Sequence, residues 1–217
     1  MYVGRIVALG RERNGRLAAM YRVSSRSFPN RQAVVGPRSA AIVPKPGFEG
    51  DVFKNPYIAY NCLRLVGDCA VAGNGSHTDP VAEKIESGVP VRDALVSVLL
   101  AMDYERDSYD TPRIAAVARA GGDRGFVGIV RRDALLVREF ELTPGMVFYV
   151  CTYEHNEPRA AEDVAVLDAN DPERACQYVL GQGIFAGFER PVTAACAVVS
   201  VGGEFEIATR ETAQSPA

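Results

Sequence analysis

The chain is organised around residues 53–79, FKNPYIAYNCLRLVGDCAVAGNGSHTD. Residues 58–63 read as a β-strand in which Tyr60 and Cys62 lie on one face and Asn61 lies on the other. A polar side chain buried between layers needs a hydrogen-bond partner, because leaving it unpaired costs about 1–3 kcal/mol. That partner is either neighbouring backbone or a bound polar ligand. The polar residues at the C-terminal end of this stretch favour the second possibility, a site for a bound ligand.

Length and charge limit the class of protein. The 217 residues are 47% hydrophobic, which predicts one domain over residues 1–209 and a polar, disordered tail over residues 210–217. The formal net charge is −3, whereas nucleic acids and anionic membranes require a basic surface. We therefore expect neither nucleic acid nor membrane as a partner.

Cysteine and histidine usage points to a reducing compartment without a metal site. The five cysteines are widely spaced, and no C-x-x-C pair occurs. The two histidines, His77 and His155, are distant from each other and lack clustered carboxylates. No apolar run approaches the roughly 20 residues of a membrane helix. The sequence predicts a cytoplasmic protein with no metal and no cofactor.

The order of predicted elements indicates the fold class. Strands are expected at residues 2–9, 17–24, 33–35, 40–43, 57–66, 69–72, 113–118, 125–130, 134–139, 146–153, 193–199 and 204–209. The dipeptide Asn14-Gly15 predicts a hairpin turn between the first two. Helices are expected at residues 80–87, from residue 91, and from residue 172 to Gly181 or Gly183. This pattern predicts an α+β fold of two antiparallel sheets faced by helices.

One carboxylate continues an apolar helical stripe. Val91, Leu95, Val98 and Met102 have the spacing of a buried helix face, and Glu105 is the next member of the series. Glu105 is either the exposed end of a fraying helix or a carboxylate that points into a cavity.

Two polar stretches are candidate anion sites. In YRVSSRSFPNR, residues 21–31, a strand would place Arg22, Ser24 and Arg26 on one face with Arg31 nearby, an arrangement suited to a phosphate monoester. The alternative is a solvated edge strand. The run NGSHTD, residues 74–79, precedes a predicted helix start, where free backbone N–H groups suit an anion or a carbonyl oxygen. The alternative there is a plain capping loop.

Several long blocks match one known family. They are MYVGR at the start, YRVSSRSFPNR (21–31), FKNPYIAYNCLR (53–64), NGSHTD (74–79), LLAMDYERD (99–107) and TPRIAA (111–116). Together they resemble the archaeal-type inosine monophosphate (IMP) cyclohydrolases, and CTYEHNEP (151–158) and RPVTAA (190–195) extend the likeness more weakly. The resemblance implies closure of 5-formamidoimidazole-4-carboxamide ribonucleotide (FAICAR) to IMP with loss of water, the last step of de novo purine synthesis. It also implies a homo-oligomer with the four-layer αββα architecture of N-terminal-nucleophile hydrolases, working without a terminal nucleophile.

The reaction that the resemblance implies assigns roles to the polar residues. Ring closure needs a folded substrate, a donor to the formyl oxygen and a base for the carboxamide proton. The expected catalytic residues are Tyr60 as donor, assisted by Asn61 or Lys54, and Glu105 as base. The expected substrate-binding residues are Arg22, Ser24, Arg26 and Arg31 at the phosphate, Asn55, Asn74, Ser76 and His77 at the ribose or carboxamide, and Cys62 in the pocket lining.

Two other functions fit the same residues. An amidohydrolase of the same fold would use Cys62 as its nucleophile, although the chain has no G-x-S-x-G elbow. A purine-nucleotide binding module would hold the same ligand without turnover.

Overall fold

The computed structural model describes residues 1–12 and 15–212 as an α+β structure. The strands are β1 (Ile6–Arg11), β2 (Leu17–Ser24), β3 (Arg31–Gly36), β4 (Ser39–Pro44), β5 (Tyr60–Val66), β6 (Cys69–Gly73), β7 (Arg113–Arg119), β8 (Arg124–Arg131), β9 (Ala134–Glu141), β10 (Met146–Cys151), β11 (Arg159–Glu162), β12 (Pro191–Val199) and β13 (Phe205–Glu211). The helices are α1 (Asp51–Lys54), α2 (Thr78–Glu86), α3 (Val91–Met102) and α4 (Pro172–Gly181), with 3₁₀ turns at Pro56–Ile58, Val164–Asp168 and Gly183–Phe185.

The strands form two antiparallel sheets, as predicted. The first has the order β11-β10-β1-β2-β12-β13, and the second has the order β3-β4-β5-β6-β7-β8-β9. All neighbours in the second sheet are consecutive in the chain, and short hairpins join β3 to β4, β5 to β6, β7 to β8 and β8 to β9. The first sheet joins strands from both ends of the chain, because β12 pairs with β2 and β10 pairs with β1.

Apolar side chains hold these elements together in three clusters. The largest joins inward residues of both sheets, including Leu9, Tyr21, Leu63 and Ile129. A second lies between the first sheet and α4, and a third lies between the second sheet and helices α2 and α3. Central strands are consequently buried on both faces, and all eight residues of β2 are buried.

Several predicted boundaries need correction. The first strand begins at Ile6 instead of residue 2, because Gly4 has φ +72° and a Cβ there would collide with the side chains of Thr152 and Tyr153. Helix α3 ends at Met102, where Asp103 has φ 55°, so Glu105 belongs to the following loop and not to the helical stripe. The sequence reading missed α1 and β11.

The pairing of β5 explains how its polar residues are distributed. Ala40 pairs with Leu63 whereas Ala41 pairs with Asn61, so Cys62 is the extra residue of a bulge. Tyr60, Cys62 and Leu63 therefore all enter the core between the sheets. Simple alternation along a strand would put Leu63 on the same face as Asn61.

The ends of the described chain bear on two expectations. The first hairpin forms, with Ile6 opposite Arg22, but Asn14 of its predicted turn lies outside the described residues. At the other end, β13 continues to Glu211, beyond the expected boundary at residue 209, and residues 213–217 lie outside the described part. Among residues 1–12 and 15–212 no helix is long and apolar enough to cross a bilayer.

Candidate functional site

A cleft of about 310 Å³ opens where the segment before β1 meets the loop after β2. This is the size of a small-ligand site. Its walls also include the loop before β5, the loop before β7 and the segment after β10. The lining residues are Tyr2, Arg5, Ser25, Arg26, Ser27, Phe28, Arg31, Asn55, Ile58, Asp107, Tyr109 and Tyr153.

Aromatic stacking builds one wall and positions a cation at its rim. The rings of Tyr2 and Tyr153 are stacked with centroids 5.8 Å apart. The guanidinium of Arg26 lies 4.2 Å from the centroid of Tyr2 and pairs with Glu189 at 3.2 Å. The Arg26 side chain is 59% exposed. It is therefore accessible to an anion that enters the cleft.

A buried carboxylate lies directly beneath the cleft. The Nη2 atom of Arg5, which lines the cleft, donates to Oε2 of Glu105 at 3.2 Å, and Arg113 approaches Oε1 at 3.5 Å. Glu105 is fully buried, and its backbone N–H donates to the Thr111 carbonyl. Asp107 holds this loop in place by accepting from the backbone N–H and hydroxyl of Thr111.

The environment of Glu105 makes it a group that titrates near neutral pH. Burial raises the pKa of its carboxyl to about 7, against the opposing charges of Arg5 and Arg113. A carboxylate with this pKa exchanges its proton readily at physiological pH, which suits a general acid or base.

Two phenols meet behind the same cleft. Tyr60 Oη lies 2.6 Å from Tyr21 Oη, and both residues are buried. Burial raises the pKa of Tyr60, while the charges of Arg31 and Arg5 act in the opposite direction. Tyr60 therefore stays protonated near two cleft arginines and keeps an O–H group to donate.

Arg31 lines the cleft from a buried position. Its Nε donates to the Phe28 carbonyl at 3.0 Å, and its side chain is almost fully buried. Within the described residues its Nη1 has no hydrogen-bond partner. A buried guanidinium nitrogen without a partner is an unused donor for an anionic ligand.

The structure brings five of the predicted residues to this region. Arg26, Arg31 and Asn55 line the cleft, while Glu105 and Tyr60 lie behind it next to Arg5. Asn55 uses its side-chain oxygen to cap the turn at Tyr57, which leaves its amide nitrogen free of that contact.

Arg22 and Ser24 do not line the cleft, so their placement does not support the phosphate role expected of them. Arg22 is fully buried on the opposite face of β2, where its Nη atoms donate to carbonyls near the end of α4, Leu180 at 3.0 Å and Phe188 at 2.7 Å among them. Ser24 accepts from Arg22 Nε. Arg22 thus stabilises a helix C-terminus, where unpaired carbonyls and the dipole favour a cation.

Two more of the predicted residues make side-chain contacts away from the cleft. Asn61 donates to Asp79, which also pairs with Arg64, so it links β5 to helix α2 instead of assisting Tyr60. Lys54 is exposed on α1 and pairs with Asp51 at 2.7 Å. Neither residue lines the cleft.

Cys62 is buried in the core and does not line the cleft. Its Sγ donates to the Ala40 carbonyl at 3.3 Å, and burial raises the pKa of the thiol far above its usual range. A thiol that remains protonated is a poor nucleophile.

The run 74–79 is a structural loop with one exposed residue. Asn74 is buried, and it donates to the Pro112 carbonyl and accepts from the N–H of Ile114. His77 is buried too, with Nε2 lying 2.9 Å from the Ile114 carbonyl. Ser76 is exposed outside the cleft. The direct substrate contacts expected of these three residues are therefore not supported by their placement.

Sequence reasoning missed Arg5, Tyr21 and Arg113. A charged residue within the otherwise apolar start MYVGRIVAL was the available signal for Arg5, because an arginine there must find a partner inside the protein. Tyr21 and Arg113 read as ordinary strand residues, since their partners are distant in sequence.

Comparison with known proteins identifies relatives over nearly the whole chain. The family model described as "IMP cyclohydrolase-like protein" matches residues 2–203. A protein named IMP cyclohydrolase from Methanocella arvoryzae is 47% identical over 95% of this chain and 96% of its own length. Proteins of the same name from Natronomonas pharaonis (95% and 97%) and Methanosphaera stadtmanae (91% and 94%) are 46% and 45% identical.

Proposed function

The chain belongs to the family of IMP cyclohydrolase-like proteins, and from that premise we propose that it is an IMP cyclohydrolase whose reaction takes place in the cleft above Glu105. In this reaction the carboxamide nitrogen of FAICAR bonds to the formyl carbon and gives up a proton. The hydroxyl of the resulting carbinolamine then leaves as water with the proton that Glu105 holds, while the former formamide nitrogen returns its N–H proton to Tyr60 as the C=N bond of the purine forms. The assignment rests on the near full-length match to proteins of that name. The structure adds a carboxylate, Glu105, with a pKa of about 7 beneath a cleft of about 310 Å³.

Substrate positioning is the first task of the site. The carboxamide is a weak nucleophile, so holding it against the formyl carbon is a large part of the catalysis. Arg26 at the rim and Arg31 with its free Nη1 bind the 5′-phosphate, and Asn55 contacts the ribose. Two guanidinium groups complement a phosphate monoester by charge and geometry.

Proton transfer is the second task. Glu105 accepts the carboxamide proton once the substrate draws Arg5 away from Oε2, a movement open to Arg5 because its side chain reaches the cleft. The contact between the Tyr21 and Tyr60 hydroxyls allows either to be the donor. In the scheme Tyr21 donates to Tyr60, which leaves Tyr60 to give its own proton to the formyl oxygen. Arg5 adds positive charge where this oxygen becomes negative.

The pH profile of turnover follows from this scheme. Below pH about 7 Glu105 is protonated and cannot accept a proton, so kcat should rise with pH through that value and level off above it. Burial and the charge of Arg113 lower the pKa of His77 to about 3. Ionisation of this imidazole therefore does not change kcat between pH 5 and 9. Measuring kcat from pH 5 to 9 tests this expectation, and a flat profile would contradict it.

A turnover assay distinguishes the enzyme from a nucleotide-binding module. The purified protein is incubated with FAICAR, and absorbance is followed as the bicyclic purine forms. We expect catalytic accumulation of IMP over many turnovers. Binding of FAICAR without product formation would support the binding module instead.

The amidohydrolase alternative depends on Cys62, so Cys62→Ala tests it. We expect the variant to keep most cyclohydrolase activity, because the thiol is buried, protonated and outside the cleft. Cys196→Ala is the matched control for the packing cost, since Cys196 is a buried free thiol in the cluster beneath α4. Loss of activity in Cys62→Ala alone would favour the amidohydrolase.

The finer fold and the assembly belong to the same proposal. Helices on the outer face of each sheet support the four-layer αββα architecture of N-terminal-nucleophile hydrolases. Exposed Val34 and Val35 on the edge strand β3 support a homo-oligomer, which light scattering of the purified protein would test. Five free cysteines fit a cytoplasmic location.

A further inference from the structure

Three polar atoms of buried side chains converge on the face of Gly75. Arg113 Nη1, Glu105 Oε1 and His77 Nδ1 lie 2.7, 3.1 and 3.3 Å from the position that a Cβ at residue 75 would occupy. Glu105 and His77 are 0% exposed and Arg113 is 5% exposed. Within residues 1–12 and 15–212 none of the three atoms has a hydrogen-bond partner. Arg113 Nη1 and Glu105 Oε1 are 3.5 Å apart, beyond good hydrogen-bond length.

The hydrogen-bonding character of each atom is fixed by its surroundings. His77 Nε2 faces the carbonyl of Ile114, which can only accept, so Nε2 carries the proton. The imidazole is neutral because burial and Arg113 lower its pKa, and Nδ1 is therefore an acceptor. The Glu105 carboxylate is a second acceptor, and the Arg113 guanidinium is a donor. One water molecule, with two protons and a lone pair for these partners, complements the set.

We infer that a single buried water molecule binds beside Gly75, accepting from Arg113 and donating to Glu105 and His77, so that His77 is a positioning residue for Glu105. Three hydrogen bonds are usual for a buried water. The site requires glycine at position 75, because a Cβ there would lie only 2.7 Å from Arg113 Nη1 and would take up space beside the polar atoms. A donor to Oε1 stabilises the ionised carboxylate and holds its orientation beneath the cleft.

Other groups also act on the carboxylate that this water would contact. The pKa of Glu105 is also lowered by the charges of Arg5, Arg113 and Arg31 and raised by that of Asp107. The water site itself does not depend on the proposed function; only the catalytic use of Glu105 rests on it. The test is therefore made on the carboxyl group in the absence of substrate.

Two replacements of His77 separate the water contact from the contact with Ile114. Glutamine places its amide nitrogen near the position of Nε2, which keeps the donor to the Ile114 carbonyl and removes the acceptor at Nδ1. Asparagine places its amide oxygen near the position of Nδ1 and loses the contact with Ile114. The pKa of Glu105 is measured by ¹³C NMR of its labelled carboxyl group in both variants and in the wild type.

We expect the pKa of Glu105 to rise by about one unit in His77→Gln, because the water loses one of its three partners, is no longer held, and its hydrogen bond to the carboxylate is lost with it. The shift in His77→Asn should be clearly smaller. A shift that is absent in His77→Gln, or as large in His77→Asn, would overturn the inference and leave His77 as a packing residue.

A crystal structure of the wild-type protein at about 1.5 Å resolution keeps the inference testable if either variant fails to fold. We expect a water within 3.2 Å of Glu105 Oε1, Arg113 Nη1 and His77 Nδ1. Direct contact among the three side chains, with no water between them, would overturn the inference even if the protein is an active cyclohydrolase.

Discussion

Replacing Glu105 by glutamine should lower turnover by about 100-fold or more, the usual scale for a lost general base, while nucleotide affinity stays nearly unchanged. The amide has nearly the same shape as the carboxyl group but cannot accept a proton. Glu105 is buried behind Arg5 and does not line the cleft, so the change removes no direct contact of the resting site. The loss should therefore appear in kcat and not in the dissociation constant of IMP.

Stability must be followed alongside these kinetics, because Glu105→Gln leaves Arg5 and Arg113 without their counter-charge. Steady-state kinetics and IMP titration are measured at a temperature where thermal unfolding shows the variant to be folded. Glu141→Gln, at an exposed carboxylate on β9, is the matched control and should behave as wild type. Unchanged turnover in folded Glu105→Gln would remove Glu105 from the mechanism.

Replacing Arg22 by leucine should destabilise the protein by about 3 kcal/mol or more, because each buried carbonyl that is left without a donor costs about 1–3 kcal/mol. The guanidinium donates to carbonyls of Val179, Leu180, Phe188 and Glu189, and leucine leaves these acceptors buried without that donor. Urea denaturation monitored by circular dichroism measures the change in unfolding free energy.

Arg26→Leu is the matched control, because the same substitution is made four residues away on an exposed side chain. We expect a change in unfolding free energy of at most about 0.5 kcal/mol. The variant should instead bind IMP about 10- to 100-fold more weakly, since a charge-assisted contact to phosphate is lost. Equal stability of the two variants would contradict the structural role of Arg22, and unaltered IMP affinity in Arg26→Leu would remove its phosphate role.

The elements of the fold were largely readable from the sequence. The turn dipeptide Asn14-Gly15, followed by a run with Tyr21 and Val23, marked β2 over residues 17–24, where the structure has it. Asp171 with Pro172 marked the start of α4. Predicting α+β with two antiparallel sheets followed from that order and is confirmed. The bulge at Cys62 was not readable, because it depends on the pairing of β5 with β4.

The site was harder to predict, for a reason that Arg22 illustrates. Both faces of β2 are buried, so its sequence shows no alternation that distinguishes the face near the cleft from the face near α4. Tyr21 points between the sheets whereas Arg22 points towards α4. Glu105 was singled out because it continues the apolar helical spacing of α3. In the structure α3 ends three residues before it, so that spacing does not explain its burial. Its burial depends on the loop that Asp107 holds in place.

The central claim is that the cleft bordered by Arg26, Arg31 and Arg5 holds the nucleotide above Glu105. The most direct test is a crystal structure of the protein with bound IMP. We predict the phosphate at Arg26 and Arg31, and the carbonyl and ring nitrogen of the purine within reach of Arg5, Glu105 and Tyr60. IMP bound elsewhere, or with its base turned away from Glu105, would contradict the account.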